Sequence, residues 1–242
     1  MRIFLGHAVL LLLFIGFDSC KRKVIPAEQI ATGEDYFPLE LGHYVEYEVD
    51  SFLYNDFNLR IDTFHYEIRD EVSDTFYDSE NRLSHIITRY KRYESSEPWS
   101  EELTYYVTKN SYRTELVENN LRFIKLVFPI RDNMKWYGNS YIPTQLSEFQ
   151  WMSNWYYTYD RISLPFTNGK LIFQDAVVVN QNDYANGNPD TAPNDYASKI
   201  FSREAYAKQI GLVYREVENW VYQPTVKYRS GFKIVYKAVK YN

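Results

Sequence analysis

Six aromatic side chains, Phe149, Trp151, Trp155, Tyr156, Tyr157 and Tyr159, crowd into eleven residues. Tyr and Trp rings stack on apolar ligands and sugar faces, and both are enriched where proteins dock. This belt is therefore the candidate partner or ligand surface, although packing across a sheet or within a core is the commoner use of such rings. Acid chemistry has its own candidates in Glu101, Glu102, Glu115, Glu118, Asp160 and Asp175. Two of them, held about 5 to 9 Å apart across a sugar cleft, would make a glycosidase pair. Spacing in sequence sets no such distance, and paired surface acids are common.

Other reactive types are sparse. His43, His65 and His85 form no HExxH pattern and no pair at metal-ligand spacing. His65 and Glu67 share a strand face, with Asp62 and Asp70 nearby and His85 as a cross-strand candidate; solvated strand-face residues are the ordinary reading. Residues 180–195 hold Asn and Asp oxygens of the kind Ca²⁺ prefers, but without EF-hand spacing, and the same residues are turn formers. No Gly-x-Ser-x-Gly elbow, Walker motif or dinucleotide fingerprint occurs, and Ser96, Ser100 and Ser111 sit in turn contexts. Neither a metal nor a cofactor is expected, and no catalytic residue is assigned.

The elements that must carry these residues read as strands. Tyr44 to Phe52 alternates Val45, Tyr47 and Val49 against Glu46, Glu48 and Asp50, the pattern of a strand with one solvent face. Segments near 59–70, 73–78, 82–93, 102–109 and 111–118 continue it between polar turns, as an antiparallel meander does. Phe123 to Phe128 is nearly continuously apolar and predicts a strand buried on both faces, ended by Pro129. Residues 131–168 are less regular, with 144–155 helical or looped. Strand character returns at 171–179, and 180–194 reads as a polar loop. Ser202 to Gln209 predicts a short helix closed by Gly211, followed by strands over 212–222 and 232–241. The expected fold is mainly β: a single antiparallel sheet, curled or closed into an open barrel or sandwich, with one or two short helices.

Composition narrows the class. The 242 residues carry a net charge of −5 and are 18% aromatic, which excludes intrinsic disorder and gives no basic surface for nucleic acid. One Cys forms no internal disulfide and no Cys-rich zinc site. Its position says more. Residues 3–17 are almost wholly apolar, too short to span a bilayer but of secretory length, and they stop at Phe17-Asp18-Ser19-Cys20.

This amino terminus resembles a bacterial lipoprotein signal, and its relaxed box is similar to those of Bacteroidota. The resemblance implies a signal peptide over 1–19, cleavage before Cys20, and acyl chains on the Cys20 thiol and amino group as the covalent lipid. Several acyl chains suffice to hold a domain on a membrane. Residues 20–35 would be the lipid-anchored tether and 36–242 the mainly β domain. The basic Lys21-Arg22-Lys23 triplet, where surface-exported lipoproteins of that phylum carry acidic residues, implies an outer-membrane lipoprotein facing the periplasm.

A second resemblance brackets the domain. Tyr36-Phe37-Pro38-Leu39 with Gly42, Tyr44 and Tyr47, and Tyr206-Ala207-Lys208-Gln209-Ile210-Gly211-Leu212-Val213, are similar to the opening and closing segments of uncharacterised periplasmic lipoprotein domains. These motifs are structural and imply no reaction. Three function classes follow. The expected one is a membrane-tethered, non-catalytic interaction module for an envelope protein complex. The alternatives are a periplasmic binding domain for an apolar or carbohydrate ligand, and an envelope hydrolase using a carboxylate pair.

Overall fold

The computed structural model describes residues 32–242. Cys20, the apolar run before it and the first part of the expected tether lie outside the described residues. Twelve strands follow in order: β1 (Tyr44–Asn55), β2 (Arg60–Tyr77), β3 (Leu83–Arg92), β4 (Ser100–Lys109), β5 (Arg113–Glu118), β6 (Leu121–Val127), β7 (Lys135–Tyr137), β8 (Tyr156–Thr167), β9 (Ile172–Asn186), β10 (Ala197–Ala207), β11 (Gly211–Gln223) and β12 (Tyr228–Tyr241). Two single 3-10 turns, Glu34–Tyr36 and Gln150–Met152, are the helical elements among the described residues.

All twelve strands belong to one antiparallel sheet, ordered β6-β5-β4-β3-β2-β1-β12-β11-β10-β9-β8-β7. The first and last strands pair with each other, Val49 opposite Tyr236, so the meander curls until its free edges, β6 and β7, approach. That seam is bridged by backbone and side chains. The Ile124 N–H donates to the Gly138 carbonyl at 2.8 Å, and the Trp136 indole donates to the Ile124 carbonyl at 2.9 Å. The Tyr159 hydroxyl accepts from the Val127 N–H at 2.8 Å and donates to the Val127 carbonyl at 2.6 Å. The result is a nearly closed barrel whose edge groups are largely satisfied, as an exposed edge would not be.

The mainly β expectation holds, with local corrections. Ser202 to Gln209 is not a helix: Ser202 to Ala207 lies inside β10, paired on both sides to β9 and β11. Two ladders of backbone hydrogen bonds, plus inward burial of Ser202, Glu204 and Tyr206, outweigh the weak helix preference of Glu, Ala and Lys. Gly211 instead completes the tight turn into β11 at φ +94°, a conformation that favours glycine. The expected loop at 180–194 is strand as far as Asn186, because β10 offers it a full register of partners. Segments 59–70 and 73–78 are one strand, β2, with a bulge between Val72 and Asp74.

The two bracketing motifs meet at one end of the barrel, called the lower end here. The Gln209 N–H donates to the Asp35 carbonyl at 2.7 Å, His43 Nε2 contacts the Ile210 carbonyl at 3.0 Å, and Phe37 packs on Tyr206 at 5.8 Å between centroids. The Lys109 ammonium donates to the carbonyls of Glu34 and Phe37 at 3.1 and 2.8 Å. Residues 34–39 thus form a cover across the lower end. From the long connection between β7 and β8, residues 138–155, Trp151 reaches Phe232 on β12, 5.8 Å between centroids.

Candidate functional site

Side chains alternate between the faces of a strand, so a curled sheet has an inner set at every second residue. Here the inner set is Asp70 and Val72 on β2, Ile87 and Arg89 on β3, Leu116 and Glu118 on β5, Phe123 and Lys125 on β6, Ser202 and Glu204 on β10, and Arg215 and Val217 on β11. Together they surround an interior cavity of about 120 Å³. Apolar residues at that spacing are ordinary core. The six charges among them are not, because burying an ion pair at best roughly offsets its own desolvation.

The charges form two clusters. In the first, Arg89 donates to both Asp70 oxygens, Nε at 2.7 Å and Nη2 at 2.8 Å, and its Nη1 donates to Glu118 Oε1 at 2.9 Å. Burial would lower the guanidinium's proton affinity, but Asp70 outweighs it and the group is held well above its ordinary value. In the second, Lys125 donates to Glu204 Oε1 at 2.5 Å, while Gln181 and the Tyr206 hydroxyl each donate to Glu204 Oε2 at 2.7 Å. Ser202 holds Gln181 in turn, donating to its side-chain oxygen at 2.5 Å. Burial pushes the Glu204 carboxyl up, yet Lys125 and Arg215 prevail and hold it below the usual carboxylate range. Burial lowers the Lys125 ammonium below its ordinary value despite Glu204.

Arg215 is the exception in this layer. Its ionic contact among the described residues is Nε to Glu204 Oε1 at 3.7 Å, longer than a hydrogen bond, and that oxygen already accepts from Lys125. Though surrounded by protein, its side chain keeps 32% of its surface accessible, because it borders the cavity. Tyr105 borders the cavity as well, and burial together with Asp70 pushes its phenol well up, so it remains a protonated donor.

The aromatic belt divides across the barrel wall. Trp155, Tyr157 and Tyr159 are buried, Phe149 and Trp151 are half-buried, and Tyr156 is 51% exposed. Trp151, Trp155 and Tyr157 border the cavity, and Trp151 packs edge-on against both Trp155 and the inward Phe232, at 5.4 and 5.8 Å. Tyr157 is fixed by its hydroxyl, which donates to Asn139 at 2.8 Å. A Cβ on Gly138 would lie 2.2 Å from its ring, so only glycine fits there. Tyr159 spends its hydroxyl on the β6–β7 seam, and Tyr156 stacks outward on Tyr137 at 4.0 Å. Trp151, Trp155 and Tyr157 make a cavity wall and Tyr159 a seam support, with Tyr156 alone well exposed.

The carboxylate candidates do not converge. Glu101 and Glu102 are exposed on β4, Glu115 lies on the face opposite Leu116 and contacts Arg82, Arg113 and Arg122, and Asp175 accepts from Tyr36. Asp160 stands 4.0 Å from Arg203. Glu118 is the member that reaches the cavity. His85 lies opposite Thr75, and His65 opposite Asp50, to which it bonds at 2.9 Å, so the two histidines are not cross-strand neighbours. Among the described residues, no group of three or more His, Cys, Asp and Glu side chains is placed to hold a metal. The Asn/Asp segment 180–195 is partly strand, and Asn188 accepts from the Asp190 N–H in a tight turn. Sequence reasoning passed over the charged layer itself. Its signals were Lys125 inside an apolar strand and Arg89 two residues from Ile87, whereas the helix expected at 202–209 hid Glu204.

No family model matches the chain, and no curated protein does. Among solved structures it is similar to a protein from Bacteroides fragilis NCTC 9343 described as exported and as having a YmcC-like fold. The identity is 9% and the TM-score 0.32, over 85% of this chain and 98% of that one. So distant a likeness carries no argument about function.

Proposed function

We propose that the protein is a membrane-tethered, non-catalytic binding module of the bacterial cell envelope, with the barrel interior as its binding element. The observation that carries this reading is the cavity, walled by Trp151, Trp155 and Tyr157 on one side and by Arg215, with open surface, on another. A concave apolar site with a few convergent polar groups is what small-molecule binding requires. Intrinsic tryptophan fluorescence and thermal unfolding of the full chain, titrated with monosaccharides, alkyl alcohols and amino acids, test it. A saturable shift with one of these classes is expected, and no shift with any would overturn it.

The tether is proposed on the Cys20 resemblance: Cys20→Ser should release the protein from the membrane fraction and abolish acyl labelling. Unchanged fractionation, with no lipid mass on the wild type, would overturn the anchor.

A docking role for an envelope partner has separate support in the β1–β2 hairpin. Leu53 and Phe64 share one face there, with Phe57 and Leu59 at the turn, all 45–91% exposed, and exposed apolar residues gathered at one tip mark interaction sites. Phe57→Ser with Leu59→Ser should reduce crosslinked partner recovery from native membranes without changing the fold. Unchanged recovery would overturn this second role.

A further inference from the structure

The charges around the cavity cancel in pairs except for two. Asp70 and Arg89 are joined by two parallel hydrogen bonds, and Lys125 and Glu204 by one short one. Left over are Glu118, which accepts from Arg89 through Oε1, and Arg215, whose nearest described carboxylate is 3.7 Å away and already engaged. Both border the same cavity, and among the described residues no ion pair within 4.0 Å joins them. A half-used carboxylate and a half-used guanidinium facing one small space present opposite charges to whatever fills it.

We infer that the cavity binds a small zwitterion of the α-amino-acid class, its carboxylate on the Arg215 guanidinium and its ammonium on the free side of Glu118. The inference rests on the cavity reading above. A guanidinium presents donors in a fork that matches a carboxylate, and Glu118 Oε2 offers an acceptor to an ammonium. A zwitterion leaves the charge of the layer unchanged, whereas a simple anion or cation would add a net charge to a buried site. Tyr105 supplies a further donor beside it. Size limits the occupant: about 120 Å³ is of the same order as the roughly 150 Å³ that holds one benzene ring, so a short-chain amino acid is the largest member of the class to fit. Leu116, Phe123 and Trp155 are the apolar wall for a short aliphatic side chain.

The test is equilibrium dialysis of the full chain, purified in mild detergent, against five probes: L-valine, isobutyrate, isobutylamine, N-acetylvalinamide and glucose. Valine should bind, and each analogue lacking one or both charges should bind at least about tenfold more weakly, as a site built around polar partners rejects ligands that leave them unpaired. Arg215→Gln should weaken valine by a similar factor without changing the weak binding of isobutylamine. Glu118→Gln should weaken valine without changing isobutyrate, with circular dichroism confirming the fold of each variant. Binding of N-acetylvalinamide or glucose as tight as that of valine would overturn the zwitterion while leaving the cavity reading intact. Absence of binding by every probe would overturn the zwitterion, and a fluorescence panel equally silent would remove the cavity reading with it. If neither variant folds, the probe series on the wild type decides alone.

Discussion

Arg89 and Arg215 enter the same interior from β3 and β11, yet they end in different states. Arg89 is 9% exposed and spends its fork on Asp70 and a third donor on Glu118. Arg215 is 32% accessible and stands 3.7 Å from an oxygen that Lys125 already holds. A guanidinium with three close hydrogen bonds is a structural group, fixed in one place by partners that would be stranded without it. One left with open donors at a cavity wall is poised to bind something else. Charge in this barrel thus has two uses, one local to the wall and one directed at the space within.

Replacing each arginine in turn should separate the two roles most widely. Arg89→Met leaves Asp70 and Glu118, 10% and 17% exposed, without the buried cation they share, and breaking a largely buried pair in this way costs about 3 kcal/mol. Arg215→Met removes no close hydrogen bond, leaves Glu204 with Lys125, Gln181 and Tyr206, and is expected to change stability by less than about 1 kcal/mol. Urea unfolding of the two variants measures both. Equal losses would show that Arg215 is as much a part of the scaffold as Arg89.

The aromatic belt offers the same contrast between wall and exterior, one step down in consequence. Trp155 is 4% exposed and lines the cavity, so Trp155→Ala should cost about 3 to 5 kcal/mol through the void it leaves. Tyr156, the next residue, points outward, and Tyr156→Ala should stay within about 0.5 kcal/mol. Thermal unfolding monitored by circular dichroism separates the two. A large loss at Tyr156 would mean that its stacking on Tyr137 braces β7 against β8 and that the exterior is not neutral.

The meander was legible because Val45, Tyr47 and Val49 alternate with acids, and a period of two survives any later choice of neighbours. The same logic applied at β10, where Ser202, Glu204 and Tyr206 also recur at every second position. There the helix-forming Glu, Ala and Lys masked it, since local preference is weaker than two ladders of hydrogen bonds but is all that a short window displays. The cavity was less legible still. Lys125 falls in an apolar run that reads as a strand buried on both faces, and its partner Glu204 is 79 residues away. Closure of the sheet brings them together, and no periodicity along the chain encodes which strands meet across the interior. The belt was seen as a unit because it is contiguous in sequence, and it divides because alternate residues of β8 face opposite sides.

The smallest effect tests the second cluster through acid. Glu204 has a folded-state pKa held below its ordinary value of 4.5. A carboxyl depressed by folding contributes stability that is complete above its unfolded value and is lost as pH falls through the folded one. Wild-type stability should therefore decline between about pH 4.5 and lower pH. Part of that decline comes from other depressed carboxyls, among them Asp78, which accepts from Arg82, and Glu216, which meets Lys233. Lys125→Met leaves those groups alone and removes one of the two cations that hold Glu204 down, so burial then pushes its carboxyl back up. The variant should be less stable at neutral pH and should lose less on acidification, giving a shallower slope in urea unfolding measured from pH 7 to 3. Parallel slopes would mean that Arg215 alone keeps Glu204 ionised. In that case Arg215 belongs to the wall beside Arg89, and the contrast between the two arginines disappears.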